Sequence, residues 1–280
     1  MKSLFQSSAI VIFSAAIANA ATLSVDLDAN LGATNTATTF TWIDQAATGG
    51  VNTFTKVAAP ANQPIHVSAG GPNGEDYVDF SGDDNAQAAE FFNFPNYTMY
   101  VVARVSALPA SYGTLFWDYG DDIPNNKTTF MAITSTGKVA AFVRDVGGDL
   151  ISVEGGVVSI GVWSVFTARM NGTALDVFQN GTLVASGVNP AYDPTTWEGS
   201  QFAPTIGSFP SVTANFLNGG IAQLMIYNGA HTDGERLAIE QGLGTRYGIN
   251  VVPEPASASL ATGGLVVLFG WARPRRKMKI

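Results

Sequence analysis

The chain has 280 residues, 46% hydrophobic and only 13% charged, with no cysteine and a formal net charge of −8. The missing cysteine excludes thiol catalysis, thiolate metal sites and cysteine-linked haem. Both ends are basic, so residues 21–251 hold eight basic against 21 acidic residues, a net charge of −13, which repels nucleic acid and anionic lipid headgroups.

Residues 1–20, MKSLFQSSAIVIFSAAIANA, open on Lys2, continue through an apolar run from Ala9 to Ala18 and end on Ala18-Asn19-Ala20. A positive start, an apolar stretch and small residues at an A-x-A site predict a secretory signal peptide, cut before Ala21 by signal peptidase. From Ala21 to about Asn85 short strands alternate with polar loops: Leu23, Val25 and Leu27 alternate with polar residues, and Phe40–Ile43, Phe54–Val57 and Tyr77–Gly82 are β-prone. In Phe94–Ala107 the residues Tyr97, Met99, Val101, Ala103 and Val105 share one strand face. Gly113–Tyr119, Thr129–Ile133 and Lys138–Arg144 extend the pattern.

Residues 161–187, GVWSVFTARMNGTALDVFQNGTLVASG, predict three strands joined by turns at Asn171-Gly172 and Asn180-Gly181. Both residue types tolerate positive φ, which a two-residue type I′ hairpin turn requires. Strands at Gln201–Phe209 and Phe216–Tyr227 follow. Asp233 is the expected N-cap of a helix from Gly234 to about Tyr247, with Leu237, Ile239 and Leu243 on its apolar face.

At the C-terminus, Val252-Pro253-Glu254-Pro255 is stiff and extended. Ala256–Ala272 is uncharged and just long enough to span a bilayer. A basic cluster from Arg273 to Lys279 follows, which belongs on the cytoplasmic side.

These residues carry two resemblances. The Trp163 strand with its "NG" turn and "LVAS", the opening "W-x-D-Q" at Trp42–Gln45, "YVDFSGDDN" at Tyr77–Asn85, "TIG" at Thr205–Gly207, "FLNGGIAQLMIY" from Phe216 and the helix ending "RYGI" together resemble laminin G-like, concanavalin A-like domains over roughly residues 22–250. The resemblance implies an all-β jelly-roll β-sandwich with a short C-terminal helix. The order of VPEP motif, transmembrane sorting helix and basic tail in residues 251–280 resembles the PEP-CTERM sorting signal. That implies a Gram-negative host secreting exopolysaccharide, recognition by a membrane exosortase and transient anchoring by the C-terminal helix; a plain single-span anchor is the other reading. The expected organisation is a signal peptide (1–20), a sandwich (21–250) and a sorting signal (251–280), exported to the cell surface or extracellular matrix.

No E-x-D-x-x-E strand, G-x-S-x-G elbow, H-E-x-x-H or phosphate loop occurs. Asp118, Asp121 and Asp122, in WDYGDDIPNN, and Asp83 and Asp84, beside Asp79 and Asn85, form two acidic clusters that read either as calcium sites or as solvated turns. Trp197, with Asp118 and Asn125, is the candidate glycan contact, its other reading being a packed loop aromatic. The expected function is non-catalytic: glycan binding or adhesion in an exopolysaccharide matrix, against a purely structural matrix protein or a glucanase-fold hydrolase.

Overall fold

The computed structural model describes residues 21–46, 52–56, 63–89, 94–120, 127–145, 149–172, 174–188, 202–209 and 214–252. Among these the chain order is β1 (Thr22–Asp28), α1 (Ala29–Gly32), β2 (Ala33–Asn35), β3 (Phe40–Ile43), β4 (Thr53–Lys56), β5 (Ile65–Val67), β6 (Tyr77–Ser81), β7 (Ala86–Gln87), β8 (Tyr97–Val105) and β9 (Tyr112–Gly120). Then come β10 (Lys127–Thr134), β11 (Val139–Arg144), β12 (Leu150–Gly155), β13 (Ser164–Met170), β14 (Ala174–Gln179), β15 (Thr182–Val188), β16 (Phe202–Ile206), β17 (Asn218–Asn228) and α2 (Asp233–Tyr247).

Two antiparallel sheets face each other. The first runs β15-β14-β13-β8-β17-β6-β5, with β1 pairing the second half of β17; the other runs β12-β11-β10-β9-β16-β7-β4-β3-β2. This is the predicted β-sandwich with a short C-terminal helix. Period-two patterning explains the layers. The expected face of β8 (Tyr97, Met99, Val101, Ala103, Val105) lies in the core between the sheets. Its other face, including Tyr100 and Val102, is also buried, because α2 packs there with Leu243 and Tyr247.

The predicted β13–β14–β15 meander is present. Asn180 and Gly181 both take positive φ, 51° and 89°, as a type I′ turn demands. The first turn differs: β14 begins only at Ala174, Gly172 has φ 86° while Asn171 does not take positive φ, and the Asn171 side chain accepts from Ala174 N at 2.9 Å.

α2 is capped by Thr232, not Asp233. The Thr232 hydroxyl accepts from Glu235 N and the Glu235 carboxylate accepts from Thr232 N, a reciprocal capping box. Asp233 is the first helical residue and holds Arg169 at 2.7 Å. The buried helix face comprises Arg236, Glu240, Leu243, Gly244 and Tyr247. Farther along, Arg246 grips Asp28 through both carboxylate oxygens, at 2.6 and 3.1 Å, and reaches Glu75 at 3.1 Å.

The signal segment, including Ala18 and Ala20, and the tail from Pro253, including Glu254 and Pro255, lie outside the described residues. Among the described residues no helix is long and apolar enough to cross a membrane.

Candidate functional site

One edge of the sandwich, where β5 ends the first sheet and β2 the second, is tied together by side chains. Asn35, at the end of β2, accepts from His66 N on β5 at 3.1 Å. Gln63 donates through Nε2 to the Thr36 carbonyl at 2.6 Å. The polar turn after β2 is stiffened by Thr36 N donating to Thr39 O at 2.8 Å. Asn, Thr and Gln suit such a place because their side chains replace the ladder bonds that an edge strand lacks.

The turn after β6 forms the opposing wall. Ser81 donates through N and Oγ to Asp84 Oδ2, at 2.8 and 2.7 Å, and its Oγ is 3.1 Å from Asp83 Oδ1. Gly82 permits the turn with φ 96°. Gly207, at φ 89°, lets the backbone of Asp84 approach; a Cβ there would stand 2.8 Å from the Asp84 carbonyl oxygen.

Between these walls lies an open cleft of about 540 Å³, lined by Asn35, Thr36, Lys56, Gln63, Ile65, Ser81 and Asp84 among others. It is polar, with one ammonium, one carboxylate and two amides; Ile65, half exposed, adds an apolar surface. Two lining side chains each hold a buried acceptor, Gln63 Oε1 and Asp84 Oδ1, that meets no donor among the described residues. Asn85, beside Asp84 and 1% exposed, pairs neither amide atom among the described residues. Buried polar atoms without partners are uncommon, each costing about 1–3 kcal/mol. Behind it, burial raises the Asp79 pKa, opposed by Arg104 at 3.9 Å and reinforced by the Asp84 carboxylate.

The residues expected from sequence fall out unevenly. Asp83 and Asp84 adjoin this cleft, but with oxygens engaged by Ser81. Asp118 is fully buried in β9 rather than on a solvent-facing rim; its carbonyl accepts from the Thr128 hydroxyl at 3.0 Å. Asp121, Asp122, Asn125 and Trp197 lie outside the described residues. Among the described residues no group of three His, Asp or Glu side chains could hold a metal ion. Val252, the first residue of the sorting motif, is half exposed and tied to the meander by its N–H on Asn180 O at 3.0 Å. The sequence reading missed Asn35, Lys56, Gln63 and Ile65, which no motif links.

A second feature is aromatic. On the outer face of the second sheet Trp117 stacks on Phe130 at 3.8 Å and Phe130 on Phe142 at 3.9 Å, all three buried. Trp117 Nε1 is satisfied by the Thr128 hydroxyl at 2.8 Å.

Residues 72–235, more than half of the chain, match a laminin G family model described as the Concanavalin A-like lectin/glucanases superfamily. The chain belongs to the concanavalin A-like lectin/glucanase superfamily. The superfamily match includes Ser81 and Asp84 but begins after Asn35, Lys56, Gln63 and Ile65, so the cleft joins a wall inside the matched region to a wall outside it. No curated protein matches the chain in sequence.

Solved structures resemble this chain at low identity. Domain 4 of AbnA, a GH43 extracellular arabinanase of Geobacillus stearothermophilus, solved with arabinotriose, aligns with TM-score 0.53 and 16% identity over 77% of this chain and 96% of that one. Botulinum neurotoxin type C, described as depending on two ganglioside molecules for cell entry, aligns with TM-score 0.52 and 13% identity over 79% of this chain and 51% of that one. The CBM40 of a Ruminococcus gnavus IT-sialidase, bound to α2,3 sialyllactose, aligns with TM-score 0.47 and 16% identity over 64% and 96%.

Proposed function

We propose that this protein is an exported, non-catalytic glycan-binding protein, and that the cleft between β2, β4, β5 and the β6–β7 turn is its glycan site. The observation that carries the reading is the open polar cleft itself, on which Asn35, Lys56, Gln63, Ser81 and Asp84 converge from separate segments. Saccharides are dense in hydroxyl donors, and the Lys56 ammonium supplies a donor for ring or hydroxyl oxygens. Support also comes from the arabinotriose and ganglioside named for structures of the same fold. The acidic surface suits neutral or weakly charged polymers in an exopolysaccharide matrix.

Export and sorting rest on the terminal segments and on the exposed position of Val252, which starts the VPEP motif at the surface. Intact-mass analysis of the protein recovered from the host is expected to show cleavage after Ala20 and loss of the basic tail; an uncut chain in the cytoplasm would contradict it. For binding, the purified protein on a glycan array is expected to give hits that Gln63→Ala and Lys56→Ala each reduce. An array without hits, or hits unchanged in both variants, would count against the cleft.

A further inference from the structure

We infer that a second saccharide site, for an uncharged glycan, lies on the helix-bearing face of the first sheet, in an open cleft of about 420 Å³ around Trp163. It takes only its ligand class from the reading above and shares no lining residue with the first cleft. Trp163 stands just before β13 and is only half buried. The indole is held on edge against Tyr77, with centroids 5.4 Å apart, and the Arg104 guanidinium lies 5.2 Å from its ring centroid. Gly220 makes the room: a Cβ there would come within 2.9 Å of the Trp163 ring and 2.6 Å of Tyr77. A rigid, partly exposed indole is a surface on which a sugar's C–H face can pack.

Two amides flank it, each fixed by one half and open on the other. Asn73 donates through Nδ2 to Arg246 O at 2.8 Å, which leaves Oδ1 as an acceptor without a partner among the described residues. Asn180 accepts through Oδ1 from Val165 N at 2.8 Å, which leaves Nδ2 as a donor without one. Both sit at positive φ, 57° and 51°, so their backbones are fixed by the turns they occupy. A pre-oriented acceptor and donor across an aromatic surface can engage two sugar hydroxyls with little ordering cost. Asn250, exposed, adds a third amide, and no named lining residue carries a charge. That selects an uncharged saccharide and contrasts with the first cleft, where Lys56 and Asp84 bring charge.

Two clefts on one rigid domain would let a single molecule bridge two polymer chains, with the gain in avidity that follows from linked sites. The test is calorimetric titration of the purified protein with cello-, xylo-, arabino- and mannotetraose. At least one is expected to bind, and Trp163→Ala and Asn73→Gly each to weaken it about tenfold, the effect of losing one stacking contact or hydrogen bond. Asn73→Gly keeps the positive φ, so its melting curve is expected to stay near wild type, which covers the case in which Trp163→Ala does not fold. Binding of none of the four, or wild-type affinity in folded Asn73→Gly, overturns the second site. Loss in Gln63→Ala with Asn73→Gly unchanged overturns it while leaving the first cleft standing.

Discussion

Replacing Arg236 by Met is predicted to be among the most damaging single changes to the helix layer, although the new side chain is apolar and of similar length. Arg236 and Glu240 pair one turn apart on the buried face of α2, with side chains 4% and 1% exposed. The guanidinium lies 3.7 Å from the centroid of Phe178 and donates to the Gly181 carbonyl at 3.4 Å; Glu240 also accepts from the Thr167 hydroxyl at 2.6 Å. Removing Arg236 takes the ion-pair partner from a buried carboxylate, a loss of about 3–5 kcal/mol. For a domain of this size that lowers Tm by about 6–20 °C, at about 2–4 °C per kcal/mol. Methionine keeps the contact with the Phe178 ring, so the loss isolates the charge rather than the packing. The double variant Arg236→Met/Glu240→Leu is predicted to return to within about 1 kcal/mol of wild type, because apolar replacement of a whole buried pair is commonly neutral. Chemical denaturation of the four proteins of the cycle measures this. A single-variant loss below about 1 kcal/mol, or a double variant as unstable as the sum of the singles, would refute the reasoning.

Two further outcomes follow from the same structure. His231 is buried against Tyr100, with Nδ1 2.8 Å from the hydroxyl, and burial lowers its pKa, opposed by Glu235. The unfolded chain therefore takes up the proton first, so this group's stability is full above about pH 6.5 and is lost as pH falls through the lower folded value. Tm measured from pH 7.5 to 5 is expected to fall less in His231→Gln than in wild type; equal slopes would remove His231 as the cause. Gly207→Ala must place a Cβ 2.4 Å from the Phe80 ring at φ 89°, costing about 2–5 kcal/mol from strained backbone and overpacking together. Its denaturation midpoint is expected to drop accordingly, and an unchanged midpoint would show that this corner relaxes freely.

What the sequence disclosed follows from how local each signal is. The β13–β15 meander was legible because Asn180-Gly181 is a two-residue turn whose φ values few other residues accept. β8 was legible because its alternation runs over nine residues. α2 was found, and Leu243 and Ile239 of its expected apolar face do pack on the sheet, but counting apolar residues could not show that Arg236 and Glu240 are buried there too. Only the sheet beneath could reveal that, since Thr167 and Phe178 come from distant strands. Asp118 looked like a rim residue because acidic neighbours follow it, yet it lies two residues beyond core-facing Phe116 and so on the same strand face. The β12 strand (150–155) was missed because it lies at a sheet edge with Leu150 exposed. The first cleft was illegible because Asn35, Lys56, Gln63 and Asp84 come from four separate segments, and only pairing of the sheet edges brings them together.

The most direct measurement is calorimetric titration of wild type, Gln63→Ala and Lys56→Ala with the purified exopolysaccharide of the host. The account predicts saturable binding by wild type and an affinity reduced about tenfold or more in each variant, the weight of one hydrogen bond to a ligand. No binding by wild type, or equal affinity in all three, would contradict the claim that this cleft is where the protein meets its glycan.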